Sequence, residues 1–420
     1  MTTPANPTSA SHSASQRTVP FITRVRIENY KSIAHCDVSL GPFTVLLGLN
    51  AAGKSNFLDA IRFIRDAVSR GPVKAVIERG GLDNVLRRTP EPTETCRIGL
   101  DFQIPAAVAG DTPWAGRYEI TLARASGSHP DQEVSVRRET CEIGLGPGVG
   151  DGAPVARFLV LDGIVNDPTA DHAIHLRTDN LYLRMVGASD PYAGLYEALT
   201  DMYFYDPVLA SLRDARSSSG TRILDEDGGN LGAVLGTLEP VVRDRLDAYI
   251  GAIVPGAVGV GPSQGSGGYV AAQMSVESLP GQPPHIFGAE SMSEGTVRAV
   301  GLLTALFQPR ARDGRIRLVA VEEPELALHP MAGGALFDAL TEASAHVQVL
   351  ATSQSSELFD RKETDLDAIK VVAVQRGVTV IGAVDAVSRE IVAEGLSTVG
   401  DLLRSDQLEP ETEAGEGTGR

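Results

Sequence analysis

The sequence predicts an α/β fold in which a mostly parallel sheet with helices on its faces carries an inserted antiparallel β lobe and a helical subdomain. Three observations carry that expectation. The apolar run FTVLLGL (43–49) suits a strand buried on both faces; it passes through a glycine-containing loop into SNFLDAIRFIRDAV, where Phe57, Ile61, Ile64 and Val68 recur at helical spacing. After Ser291 the chain alternates helical and strand patterns up to about residue 384, as parallel sheets with covering helices do. Between these parts, residues 95–185 hold short alternating segments (CRIGLDFQI, RYEITLARA, QEVSVRRETCEIGL, ARFLVL) broken by Gly, Pro and Asp, the pattern of an antiparallel sheet.

The boundaries follow from these changes of period. Residues 21–92 and 286–405 are expected to form one discontinuous domain, interrupted by a β-rich lobe (93–192) and by a helical subdomain and connection (193–285). The latter opens with YAGLYEALTDMYF and NLGAVLGTLEPVVRDRLDAYIGAIV, and its Gly-rich stretch GAVGVGPSQGSGG reads as a flexible connection leading to another strand, YVAAQMSVESL. Residues 1–20, rich in Ser, Thr, Pro and Ala, and the acidic residues 406–420 read as disordered tails. No stretch sustains several heptads, so a long coiled-coil arm is not encoded.

Composition sets limits on function. At 420 residues and 42% hydrophobic, the chain has enough apolar material for a packed core. It lacks a run of ~18 apolar residues, which argues against a spanning helix, and no membrane partner is expected. Cys36, Cys96 and Cys141 are too scattered for a disulfide framework or a zinc ribbon, so a reducing, cytoplasmic setting is expected. The net charge is −17, yet residues 1–90 hold 12 Lys and Arg against 6 Asp and Glu. A local basic surface near the N-terminus is therefore compatible with DNA contact, while the acidic remainder repels a polyanion.

Four elements carry chemistry. GLNAAGKS (Gly48, Leu49, Asn50, Ala51, Ala52, Gly53, Lys54, Ser55), followed by Asn56, fits the phosphate-binding pattern G-x-x-x-x-G-K-[ST] between a strand and a helix. There backbone N–H groups wrap phosphates, Lys54 reaches the β and γ phosphates of ATP, and Ser55 ligates Mg²⁺. In IRLVAVEEPELALHP, an apolar strand (318–321) ends in Glu322 and Glu323; alternation sends one carboxylate towards Mg²⁺ and the other towards the attacking water. In SMSEGTVRAVGLLTALF, Ser293 to Gly295 open a helix, where Ser293 is either a simple N-cap or, with the helix end, a γ-phosphate ligand. In HVQVLATSQSSELFD, a strand (347–351) ends in Thr352, Ser353, Gln354 and Ser355, and Gln354 is placed to bond phosphate or water.

In this order, the four elements resemble the ABC-type ATPases of the RecF and structural-maintenance-of-chromosomes (SMC) group, most closely its compact single-chain bacterial members. The resemblance runs from VRIENYKSIAHCDVSLGPFTVLLGLNAAGKSNFLDAI through FYDP and DEDGGNLGAVL to SEGTVR, EEPELALHP, QVLATSQSSELFD and VGDLLRSDQL. It implies a P-loop NTPase of ABC-ATPase type with ATP and Mg²⁺ as cofactors. Lys54, Glu323 and Gln354 would be catalytic; residues 48–56 with Ser293 and Gly295 would bind nucleotide, and Ser55 and Glu322 would hold the metal. Ser293 to Gly295 would be the signature motif that completes the site of a second copy in an ATP-bound homodimer, Glu325 to His329 the D-loop, and Lys31 and Ser32 neighbours of the nucleotide. Two positions depart from the group: Glu322 stands where Asp is usual and Gln354 where His is frequent, so slow turnover is expected. The implied role is an ATP-driven switch in DNA maintenance or antiphage defence, with DNA or an effector protein as candidate partner. An ATP-gated scaffold with little hydrolysis is the alternative, and a transporter subunit a third.

Other candidates read as structural. Asp167, Asp171, His172 and His175 lack a partner cluster at metal-ligand spacing, and Asp365 and Asp367 lack the rest of an acidic nuclease site.

Overall fold

The computed structural model describes residues 20–91, 93–104, 113–125, 134–146, 154–168, 174–217, 223–361 and 364–411. In chain order the strands are β1 (Ile22–Tyr30), β2 (Ile33–Ser39), β3 (Phe43–Leu47), β4 (Thr95–Ile104), β5 (Trp114–Arg124), β6 (Val134–Leu145), β7 (Pro154–Leu161), β8 (Ile164–Asn166), β9 (Met202–Tyr205), β10 (Arg216–Ser217), β11 (Ala257–Gln264), β12 (Tyr269–Val276), β13 (His285–Gly288), β14 (Leu318–Glu322), β15 (Gln348–Ser353), β16 (Ile369–Gln375) and β17 (Val378–Ala383). One 13-stranded sheet has the order β8, β7, β6, β5, β4, β1, β2, β17, β16, β3, β15, β14, β9. Around β3 the neighbours are parallel: β9 with β14, β14 with β15, and β3 with both β15 and β16.

These parallel strands are buried on both faces, which is why they read as unbroken apolar runs. Alternation deals their side chains to two cores. Leu46, Leu318, Ala320 and Leu350 join Phe57, Ile61, Ile64 and Val68 of the helix Lys54–Arg70. Val45, Leu47, Val319, Val321, Val349 and Ala351 join Val297, Val300, Leu303 and Leu306 of the helix Glu294–Phe307.

The antiparallel strands expected as an inserted lobe are the far half of this same sheet: β4 pairs β1, with Arg26 opposite Gly99, and β5 to β8 follow in sequence. Within the segment read as helical, β9 forms the edge of the large sheet beside β14; the strand read at YVAAQMSVESL is β12, which with β10, β11 and β13 makes a separate 4-stranded sheet.

Two expectations need correction. The Gly-rich stretch is not a flexible connection, because residues 257–264 form β11, paired along its length with β12. Main-chain hydrogen bonds need no side chains, and the Asp247 carboxylate fixes the strand further by accepting from the Val260 amide at 2.8 Å. Residues 406–411 are not a free tail either, since Leu408 is buried and the Glu411 amide donates to the Ala383 carbonyl at 2.7 Å. Residues 1–19 and 412–420 of the expected tails lie outside the described residues.

The three cysteines are buried and free. Glu139 is fully buried in β6, where it accepts from Tyr118 Oη (2.8 Å) and from the amides of Leu183 (3.0 Å) and Tyr182 (2.5 Å). Burial pushes its carboxyl up to about 7 against the pull of those donors. Because the folded pKa lies above the unfolded one, the associated stability is complete below pH ~4.5 and is lost as pH rises through about 7. The expected size is about 3 kcal/mol, visible as a fall in chemical-denaturation stability between pH 5 and pH 8 that Glu139→Gln flattens.

Candidate nucleotide site

The strand registers build the site. Glu322 pairs Thr352, Thr352 pairs Leu46 and Ser353 pairs Leu47, so the carboxyl ends of β14, β15 and β3 form one level row. Everything that follows these ends, namely Gly48 onward, Glu323 and Gln354, emerges at one edge of the parallel strands, where open α/β sheets bind ligands.

The loop from Gly48 is preorganised. Gly53 caps the helix Lys54–Arg70 with a left-handed backbone (φ 109), and a Cβ there would come within 2.5 Å of Thr379 Oγ1. Thr379 Oγ1 donates to the Ala52 carbonyl (3.0 Å) and sits 2.8 Å from Ser32 Oγ, which accepts from Asn56 Nδ2 (2.7 Å). Ser32 thus lies beside the loop. Lys31 pairs with Asp59 at 2.5 Å.

Lys54 folds back over the loop, its Nζ donating to the carbonyls of Gly48 (2.8 Å) and Leu49 (2.9 Å). Burial lowers its pKa, opposed by Glu323, Glu325 and Glu322. Ser55 Oγ donates to Glu322 Oε2, so the hydroxyl and the carboxylate expected to share a metal are already neighbours. This pair of hard oxygens fits Mg²⁺, which takes one or two protein oxygens plus phosphates and water.

Directly after β14 the chain turns at Glu323, whose φ of 44 is left-handed. That backbone costs a non-glycine residue about 1 kcal/mol and is held here by the Glu323 amide, which donates to both Thr352 O (3.1 Å) and Thr352 Oγ1 (3.1 Å). The turn brings Glu323 opposite the next strand, where Gln354 Nε2 donates to its Oε2 at 3.1 Å. Acid and amide that were 31 residues apart thus become one pair.

Ser293 and Gly295 lie at the start of the helix Glu294–Phe307. Ser293 Oγ accepts from the Thr296 amide at 3.2 Å, which satisfies the capping alternative, and the residue is exposed. Gly295 packs so closely on the segment after β14 that a Cβ would lie 2.0 Å from Ala327 O. Among the described residues no hydrogen bond joins Ser293 or Gly295 to residues 48–56 of the same chain.

Two contributors escaped the sequence reading. Thr379 has no local signal because it is 327 residues from Ala52, the loop residue whose carbonyl it holds. The other is a hollow of about 490 Å³ lined by Lys31, Ser32, Asn84, Leu86, Arg87, Arg88 and Gly377. Arg87 pairs with no carboxylate there among the described residues.

Of the residues set aside, Asp167 accepts from Tyr182 Oη at 3.2 Å and Asp365 Oδ1 caps the Asp367 amide at 3.0 Å, while Asp171 and His172 lie outside the described residues. Among the described residues no group of three or more His, Cys, Asp or Glu is arranged to hold a metal, and no helix is long and apolar enough to cross a membrane.

Comparison with known proteins points the same way. A family model described as "AAA ATPase domain" matches residues 21–112, and one described as "AAA domain, putative AbiEii toxin, Type IV TA system" matches residues 274–360. The first segment holds the Gly48–Ser55 loop and the second holds Ser293, Glu322, Glu323 and Gln354. Among solved structures, an SMC head bound to the C-winged helix domain of ScpA is 12% identical, with a TM-score of 0.52 over 88% of this chain and 100% of that one. An SMC head with an extended coiled coil, bound to the C-terminal domain of ScpA derived from Pyrococcus furiosus, is also 12% identical, with a TM-score of 0.50 over 90% and 100%. At such identity the likeness is one of fold. The fold is thus that of SMC head domains, and the two segments matched by AAA-type ATPase models are the ones that meet at this site.

Proposed function

We propose that this chain is a slow, Mg²⁺-dependent ATP hydrolase that uses ATP to join two copies head to tail, and that the joining and release of the dimer is its output. The observation that carries the reading is the juxtaposition of two pairs, Ser55 with Glu322 and Glu323 with Gln354, at the level ends of adjacent strands beside Lys54.

In this reading the loop amides and Lys54 hold the β and γ phosphates, Lys54 leaving the Gly48 and Leu49 carbonyls to do so. Ser55 and Glu322 hold Mg²⁺, which when bound neutralises charge developing on the phosphate oxygens. Glu323 accepts the proton of the attacking water while Gln354, without an acid–base role of its own, orients it. The extra methylene of Glu322 and the amide at 354 favour slow turnover.

Dimerisation is supported by what surrounds the site. Ser293 offers an exposed helix start away from its own loop, and the rim carries Leu49 (51% exposed), Leu326 (47%) and Met331 (85%), apolar side chains that a second copy would cover. Sedimentation velocity of the full chain with and without Mg-ATP, alongside phosphate release, tests the reading; a protein that stays monomeric and releases no phosphate overturns it.

The nucleoside would leave the loop past Asn56 and Ser32, into the hollow that Arg87 lines. Tyr30 supplies no stacking ring, being buried with its hydroxyl on Asp59 at 2.7 Å, so the Arg87 guanidinium takes that part. Arg87→Ala is expected to raise the KM for ATP roughly 5- to 10-fold with kcat nearly unchanged, as read by steady-state kinetics.

The biological setting stays at two alternatives, DNA maintenance and defence. The description of the model matched over residues 274–360 names a type IV toxin–antitoxin system, which favours defence, with an effector protein as partner. An ATP-gated scaffold with little hydrolysis is the second reading, favoured by the same two substitutions at Glu322 and Gln354.

A further inference from the structure

The acid chemistry at the end of β14 includes a third carboxylate. Glu325 Oε1 accepts from Ser353 Oγ at 2.6 Å, and Ser353 Oγ accepts from the Ser355 amide at 3.1 Å. Gln354, the residue that faces Glu323, is the one enclosed between these two serines. Its flanks are therefore linked to Glu325 as well as to the end of β15.

Glu325 is poorly explained as a stabilising residue. Its second oxygen, Oε2, is buried and makes no hydrogen bond of good geometry, and burial holds the carboxyl above its ordinary range against the Ser353 hydroxyl and the nearby amides of Glu325 and Gln354. A buried acceptor left unmet costs stability, whereas an apolar side chain of similar shape would not carry that cost. The same loop continues through a Leu328 amide bond to the Glu325 carbonyl (3.0 Å) and a left-handed Ala327 (φ 64), whose carbonyl presses on Gly295.

We propose that Glu325 is a positioning residue for hydrolysis: it locks the 353–355 turn so that Gln354 faces Glu323, and through the same loop it seats the helix start that carries Ser293. The inference rests on the ATP-hydrolysis reading above and adds to it a regulatory link. The arrangement around one chain's attacking water is tied mechanically to the motif that the chain offers to a second copy. A shift of the turn by a fraction of an ångström misdirects Gln354, and rates are sensitive to displacements of that order.

The test is steady-state hydrolysis of Mg-ATP by the full chain and by Glu325→Ala, Glu325→Gln and Ser353→Ala, with melting temperatures measured in parallel. Glu325→Ala is expected to lower kcat by roughly 10- to 100-fold with KM within about 3-fold. Glu325→Gln keeps an acceptor for Ser353 and is expected to recover most of the rate. Ser353→Ala, a one-atom deletion that keeps the fold if Glu325→Ala does not, is expected to be as slow as Glu325→Ala, and the double variant no slower than either. The proposal is overturned by an unchanged kcat in Ser353→Ala, by a Glu325→Gln as slow as Glu325→Ala, or by losses that add in the double variant. Wild-type turnover in the same assay separates the two ideas, since a wild type that hydrolyses while the variants match it sinks the positioning role alone, and a wild type without turnover sinks both.

Discussion

Glu323→Gln is expected to reduce ATP hydrolysis by at least about 100-fold while leaving Mg-ATP binding in place and raising the dimer population. The substitution is nearly isosteric, and the amide oxygen can still accept from Gln354 Nε2, so the 3.1 Å contact and the left-handed turn at residue 323 survive. What is lost is the ability to take a proton from water, which a positioned general base makes worth roughly 10²- to 10⁴-fold. Lys54, Ser55 and Glu322, which hold the phosphates and the metal in this reading, are untouched. Nucleotide therefore binds but is not turned over, and the ATP-bound dimer accumulates by mass action. Phosphate release and sedimentation velocity at matched Mg-ATP check both halves. Equal, negligible rates for wild type and variant would remove the switch-enzyme reading and leave the ATP-gated scaffold.

The second large effect concerns which residues belong to one site. Lys54→Ala and Ser293→Arg are each expected to be essentially inactive alone, and a one-to-one mixture to regain activity towards about a quarter of wild type. Half of randomly paired dimers are then mixed, and each mixed dimer assembles one intact site from the Lys54 of one chain and the Ser293 of the other. The structure makes such complementation plausible geometrically. Lys54 lies in its own loop, whereas Ser293 opens an exposed helix start whose neighbours are Thr296 and, through Gly295, Ala327. Ser293→Arg also removes an N-cap, a change of about 1 kcal/mol, so its melting temperature is the control. Full activity in Ser293→Arg alone would show that one chain suffices.

Much of the site was legible because its chemistry is contiguous. A glycine-rich loop between a buried strand and an amphipathic helix is a local pattern, and Phe57, Ile61, Ile64 and Val68 do face one core. Glu322 and Glu323 were legible for the same reason, as acids ending an apolar strand. Legibility stopped where backbone pairing, not side-chain pattern, decides the structure. The glycines of residues 257–264 look like a linker because glycine gives no periodicity, yet their amides and carbonyls pair with β12. The alternating strands of residues 95–161 read as a separate lobe because alternation reports a half-buried strand without naming its neighbour; it is the β1 to β4 register that makes them one sheet.

By itself the sequence determined which short segments are proposed to hold phosphate, metal and water, because those demands fall on residues adjacent in the chain. The tertiary structure decided how these segments meet. Parallel registers level Glu322, Thr352 and Leu46 and so bring Gln354 to Glu323, and Thr379 reaches the loop from the far end of the chain. The segment after Glu323, anchored by Glu325 to Ser353, rests its Ala327 carbonyl on Gly295. Contacts of this kind join residues hundreds of positions apart. Strand pairing and core packing select them together, and no local run of side chains records the choice.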